Sequence, residues 1–164
     1  MTAYETLYKA FFDRIEKDDK FFKYNGVSAE DALLLAKTRA LNYLHEAISI
    51  LRFKCTLDVD IQLDDIGEQI NTGDVDLTFD EIYLIASLMY QVYLSRDVTL
   101  LKSMINTLTS TDIKLLYAPS NERKTFMDMF KDVQNDNLIL IDNYSGRNRD
   151  TGKRKIIDYA SYDM

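Results

Sequence analysis

The chain of 164 residues has one proline, one cysteine, one histidine, five glycines and no tryptophan. Each scarcity excludes something. With so few turn formers, a fold of many short strands and tight loops is out of reach, and long helices are favoured. The single cysteine, Cys55, leaves no intramolecular disulfide, which fits a reducing compartment. Its apolar neighbours make it read as a small buried hydrophobe rather than a reactive thiol. One histidine and one cysteine together exclude a His/Cys zinc site within one chain. His45 lies in "LNYLHEAISIL" near an apolar face; a structural role is the ordinary reading there, a general base the alternative. No run reaches the roughly 18 apolar residues that a membrane span takes. The N-terminal "MTAYETLYKAFFDRIEKDDK" lacks the apolar centre of a signal peptide, so no membrane is expected. A P-loop, G-x-S-x-G, GxGxxG and the helix-borne E-x-x-E pairs of all-α nucleotide hydrolases are all missing. The expectation is a protein that is not an enzyme, with no catalytic residue, no metal and no cofactor.

What the chain does have is negative charge, unevenly placed. The formal net charge is −7, which argues against a general nucleic-acid binder, since phosphate is neutralised by Lys and Arg clusters. The stretch "DVDIQLDDIGEQINTGDVDLTFDE", Asp58 to Glu81, is crowded with carboxylates and holds neither Lys nor Arg. Such a stretch can be a metal loop, a solvated surface or a wall that repels another polyanion. The EF-hand reading fits poorly: after Asp58 and Asp60 comes Gln62 where a third ligand belongs and Leu63 where glycine belongs. Residues 143–164, by contrast, carry five basic and three acidic side chains. This acidic body therefore ends in a weakly basic, tyrosine-rich segment, expected to be mobile when free and to order on a partner.

The periodicity predicts an all-α fold: a bundle of four to five helices with a small loop or β-hairpin insert at 56–78 and an extended C-terminal tail. Tyr4, Leu7, Tyr8, Phe11, Phe12 and Ile15 predict a first helix over 2–22. Ser28 caps a long helix over 29–53, with Leu34, Leu41, Leu44, Ile48 and Leu51 on one face. Val59, Ile61 and Leu63 alternate as a strand does, and Val75 and Leu77 repeat the pattern. Thr78 and Glu81 make a T-x-x-E capping box. The helix it opens is apolar nearly all round and needs cover on every side, from a complete core or from neighbouring subunits. A shorter helix over 99–108 follows. Pro119 and Ser120 open the last helix, running to about 142, with Phe126, Met129, Phe130, Val133 and Leu138 inward. The eleven tyrosines are either amphipathic contact surface or buried rings with satisfied hydroxyls.

Two passages carry a family resemblance. In "LTFDEIYLIASLMYQVYL", Leu77, Thr78, Glu81 and Ile82 form an L-T-x-x-E-I helix start, and Met89, Tyr93 and Leu94 an M-x-x-x-[WY]-L pattern. In "DIKLLYAPSNERKTF", Tyr117, Pro119, Ser120 and Asn121 form a [FY]-x-P-[SA]-N link into the last helix. Over residues 1–142 the chain resembles the head–tail connector (adaptor) proteins of long-tailed bacteriophages. The resemblance implies a structural virion protein at the head–tail junction, assembled in the host cytoplasm. It would form a homo-oligomeric ring under the portal protein, extend the DNA channel, and meet a further neck or tail-completion protein, with DNA only as passing cargo. On that footing Asp58, Asp60, Asp64 and Asp65 would line the channel. Tyr83, Met89, Tyr90 and Tyr93 would lie between subunits. Arg147, Arg149, Lys153, Arg154, Lys155, Ile156, Ile157 and Tyr159 would dock on the portal. The tail departs from the family pattern, being longer and more basic. The alternative is an acidic DNA mimic that occupies the DNA site of a host enzyme; it accounts for the charge but not for the basic tail or the apolar helix.

Overall fold

The computed structural model describes residues 2–16, 19–22, 24–59, 61–63, 69–71, 76–107 and 120–155. The chain is all-α. Among the described residues five helices carry the fold: α1 (Tyr4–Phe12), α2 (Asp19–Phe22), α3 (Ala29–Lys54), α4 (Phe79–Thr107) and α5 (Ser120–Ser145). Three short strands, β1 (Thr2–Ala3), β2 (Gln62–Leu63) and β3 (Gln69–Asn71), pair antiparallel in the order β1-β3-β2. The insert thus contains a hairpin, but its second strand lies at 69–71 rather than at the Val75–Leu77 alternation, where Leu77 is a buried loop residue.

The expected first helix is two helices. Arg14 and Ile15 donate to the carbonyls of Phe11 and Phe12, three residues back, which tightens and ends α1. The break brings Phe11 within 5.9 Å of Phe21, ring centre to ring centre, and Phe12 within 5.2 Å of Phe22. A continuous helix would hold such pairs about 15 Å apart. Phe11 and Phe21 join Tyr43 of α3 and Tyr93 of α4 in a mutually edge-on or tilted aromatic cluster. The guanidinium of Arg39 lies 4.5 Å over Phe21 and that of Arg96 lies 4.4 Å over Tyr43, closing the cluster with charge. Tyr4, Tyr8 and Tyr43 are therefore core residues.

Helix α3 starts where Ser28 predicts: its hydroxyl accepts the Asp31 N–H at 3.2 Å and donates to the Asp31 carboxylate at 2.7 Å. Its buried face keeps Leu44, Ile48 and Leu51 of the expected stripe, with Leu41 half-buried, but leaves out Leu34 and adds a row of alanines. Ala32, Ala36, Ala40, Tyr43, Leu44, Ala47, Ile48 and Leu51 are inward, while Leu34 is 64% exposed beside the exposed Leu33 and Leu35. Alanines one turn apart let a neighbouring helix approach closely, and Leu34 is the one member of the expected stripe left in water.

Helix α4 is the element on which α1, α3 and α5 all pack. Every residue from Leu84 to Met89 is buried by the chain's own helices. Met89, 0% exposed, faces this interior and presents nothing to a neighbouring subunit. Tyr90 and Tyr93 are half-buried against the core; Tyr83 is 48% exposed. The helix runs on to Thr107 instead of breaking near Leu94. Ser95 and Thr99 turn their hydroxyls back to the carbonyls of Val92 and Ser95, so polar side chains stay inside the helix.

Helix α5 is rotated from expectation. Asn137 is buried, donating to Gln91 Oε1 at 2.8 Å and to the Ser87 carbonyl at 3.2 Å, and accepting from the Ser87 hydroxyl at 2.7 Å. These bonds point positions 137, 141 and 144 at α4, at helical spacing. Phe126, Phe130 and Val133 end half-buried, and Met129, Leu138 and Ile139 exposed, the last at 58%. The helix extends three residues beyond the expected end, to Ser145, where Gly146 donates to the Asp142 carbonyl.

The alanine face makes a direct test. Ala40→Leu, at a fully buried contact, should cost about 1–3 kcal/mol by overpacking, whereas Leu34→Ala should stay within about 0.5 kcal/mol. Thermal and denaturant unfolding of the two variants checks this; equal costs would mean that α3 buries its leucines instead.

Candidate functional site

The acidic insert finds its counter-charges in two distant parts of the chain. At its start, Arg52 in the last turn of α3 donates to the Ile61 carbonyl, and Lys155 meets the Asp58 carboxylate at 3.0 and 3.3 Å. At its end, Arg149 donates to the Asp76 carbonyl and pairs with Glu81 through Nε at 2.8 Å and a terminal nitrogen at 3.1 Å. Between these anchors Val59, Ile61 and Leu77 sink into the core. The C-terminal segment that supplies Arg149 and Lys155 is a tight turn, not a loose end, over residues 146–155. Asn148 donates to the Lys153 carbonyl, Gly152 to the Asn148 carbonyl and Lys155 to the Gly146 carbonyl, each at 2.8 Å. The Asn148 side chain accepts the N–H groups of Asp150 and Thr151. Gly152, at φ +64°, supplies the left-handed residue that the reversal needs.

Glu81 is the centre. Its backbone N–H bonds the Thr78 hydroxyl at 3.3 Å and its carboxylate returns a bond to the Thr78 N–H at 2.7 Å, completing the capping box. The same carboxylate accepts from the Tyr144 hydroxyl at 3.2 Å and from Arg149. Its side chain is 5% exposed and that of Arg149 is 13% exposed. Burial pushes the Glu81 carboxyl up, but Arg149, the Thr78 N–H and Tyr144 outweigh it, so it titrates below the ordinary carboxylate range. Burial and the Glu81 charge push the Tyr144 phenol well above its usual range, keeping it a donor. The Lys155–Asp58 pair is more open to water, at 43% and 29%, and contributes little beside the Arg149 bond.

Among the expected channel residues, only Asp58 falls within the described residues, and it is ion-paired rather than free; Asp60, Asp64 and Asp65 lie outside them. Of the expected docking residues, Arg149 is turned inward onto Glu81, and Lys155 is paired with Asp58 at the surface. Arg147, Lys153 and Arg154 are exposed, and Ile156, Ile157 and Tyr159 lie outside the described residues. The Tyr117–Pro119 link is outside them too. Tyr83 carries the Arg14 guanidinium 4.5 Å over its ring. His45 is half-buried on α3 and its ring bonds to no described residue. Burial pushes the Cys55 thiol up, away from thiolate chemistry, and its sulfur leans on the Leu51 carbonyl. Among the described residues no group of three His, Cys, Asp or Glu side chains could hold a metal ion, and no helix is long and apolar enough to cross a membrane. Sequence reasoning found Glu81 only as a helix cap and missed Arg52 and Tyr144. A helix-capping carboxylate that follows a stretch without cations was the available signal.

Comparison of the chain with family models, with curated proteins and with solved structures finds no match.

The latch gives a signed pH prediction. A carboxyl whose folded pKa is below its unfolded value stabilises the fold above the unfolded value, and loses that contribution as pH falls through the folded one. Wild-type stability should therefore drop below about pH 4.3, the ordinary glutamate value. Arg149→Ala should cost about 3 kcal/mol at pH 7 by stranding a buried carboxylate, and should flatten that acid limb. Denaturant unfolding at pH 7 and at successively lower pH reads both effects; an unchanged acid limb in the variant would show that the pair contributes nothing.

Proposed function

We propose that the chain is a structural subunit of a bacteriophage neck, assembling head-to-tail into a ring that joins the portal to the next neck or tail protein. The observation that carries this reading is the placement of uncovered apolar side chains. Leu33, Leu34 and Leu35 on α3 and Met129, Leu138 and Ile139 on α5 are exposed, and these two helices both flank α4. Exposed apolar side chains on two different helices of one protomer offer the unlike surfaces that a heterologous contact requires, and repeated rotation through such a contact closes a ring. The helix start at Leu77–Ile82 and the Met89–Leu94 pattern, both on or beside the latched core, support the connector family. In the ring the acidic insert, anchored at both ends, faces the DNA channel, where its carboxylates keep the phosphate backbone from sticking.

Particle imaging of the chain mixed with a portal ring tests the reading. A collar with the portal's symmetry is the expected result. Deleting 156–164, which leaves the Arg149 and Lys155 anchors in place, should remove the collar without unfolding the subunit. A portal that gains no density with the full chain would overturn the neck assignment.

The heterologous interface has its own test. Leu34→Asp and Ile139→Asp should each stop ring formation alone. Mixed, they should give dimers and nothing larger, because each variant keeps the face the other has lost. Light scattering that finds rings in the mixture, or no association at all, would refute the α3-to-α5 contact.

A further inference from the structure

The five cations of the C-terminal segment divide into two sets. Arg149 and Lys155 are paired, the first with Glu81 and the Asp76 carbonyl in the interior and the second with Asp58 at the surface. Arg147, Lys153 and Arg154 point outward, exposed, and their side chains bond to no described residue. Arg147 and Arg154 are direct cross-strand partners in an antiparallel bridge. Like charges placed directly opposite destabilise a strand pair, so the turn sets two arginines opposite each other at a cost. The Asn148 bonds, Gly152 and the Arg149 anchor on Glu81 keep them there.

Arg147 also rims a cavity of about 200 Å³ between the first turn of α4 and the last turns of α5. Leu84, Leu140, Tyr83 and Tyr144 line it with apolar surface, and Asp80 and Asn143 add polar groups that bond to no described residue. A small apolar cavity with a few unspent polar groups converging on it is the ordinary form of a recognition pocket.

We propose that this cavity and the Arg147–Arg154 pair form one docking site for an acidic peptide segment of a partner protein, with an apolar side chain in the cavity and flanking carboxylates on the two guanidiniums. Paired guanidiniums match carboxylates through two parallel hydrogen bonds each, and a bound carboxylate removes the repulsion between them. Asp80 sits on the cavity side, where it meets the peptide's N–H groups rather than its acids. A protein partner is favoured over nucleic acid because the cationic spot is small and the acidic insert is fastened directly to the same turn. A long polyanion would meet those carboxylates, while a short segment stays on the arginines. The inference concerns the partner of the turn whatever assembly the chain joins, so it succeeds or fails separately from the ring.

Fluorescence anisotropy at low salt, with the full chain and three labelled probes, tests it. The probes are a peptide alternating glutamate and leucine, an all-glutamate peptide, and an oligothymidylate. The alternating peptide should bind most tightly. The double variant Arg147→Ala/Arg154→Ala should weaken it about tenfold or more while melting no lower than wild type, since it removes a repulsion. Tyr83→Ala should erase the advantage of the alternating peptide over the all-glutamate one. The proposal is overturned if wild type binds neither peptide, if the double variant binds as wild type does, or if the oligothymidylate binds more tightly than the alternating peptide, which would give the site to nucleic acid.

Discussion

A carboxylate buried at a helix N-terminus must be answered by donors, and the segment before Glu81 has no Lys or Arg to offer. The backbone supplies one donor through the capping box, which satisfies the helix end but leaves most of the charge uncompensated. The remaining donors, Tyr144 and Arg149, come from more than sixty residues away in sequence. Closing α5 onto α4 is therefore not only a matter of apolar contact. The end of α5 and the turn beyond it have to arrive at one spot, and when they do, Arg149 also captures Asp76 and Lys155 captures Asp58. One buried charge thus fixes the direction of α5, the path of the C-terminal turn and both ends of the acidic insert.

The second constraint acts along α5 rather than at its end. Asn137 can be buried only where all of its amide is used, and Ser87 and Gln91 provide that place on α4. With Asn137 and Tyr144 both directed at α4, the rotation of α5 about its axis is settled. Leu138 and Ile139, adjacent in sequence to a buried polar residue, are left outside. An amphipathic reading orders residues by hydrophobicity, and here hydrogen-bond satisfaction prevails over it. On α3 small size matters beside hydrophobicity: alanines pack together with Leu44, Ile48 and Leu51, while Leu33, Leu34 and Leu35 near the start of the helix stay in water. The uncovered leucines and isoleucine are the side chains on which the proposed ring contact would rest.

This explains what the sequence could and could not disclose. Local chemistry was legible. Ser28 and Thr78 mark the true starts of α3 and α4, and the scarcity of glycine and proline foretells long helices. Long-range polar chemistry was not. Nothing near Asn137 announces Ser87, and nothing in "RNRDTGKRK" separates the arginine that will be buried from the two that will be exposed. The break between α1 and α2 was hidden for a related reason, since Phe11 and Phe21 meet only because tertiary aromatic packing rewards interrupting an otherwise good helical pattern. The insert was legible only as charge, and Asp58 shows how charge misleads when a distant lysine is waiting for it.

The partition of the basic segment has a mechanical consequence. Its paired cations hold the insert, and its outward cations are free for a partner, yet both sets ride on one ten-residue turn closed by backbone hydrogen bonds. A load on the outer arginines is carried through Asn148 and Gly152 to Arg149, and from there to Glu81 and the start of α4, with no flexible linker in between. Because the Arg149–Glu81 pair is shielded from water and salt while Lys155–Asp58 is not, raising the ionic strength loosens the start of the insert before it loosens the end. The proposed docking at the turn would thus be coupled to the placement of the acidic insert through one buried ion pair. In the proposed ring, whatever seats the turn also sets how firmly the acidic wall is held.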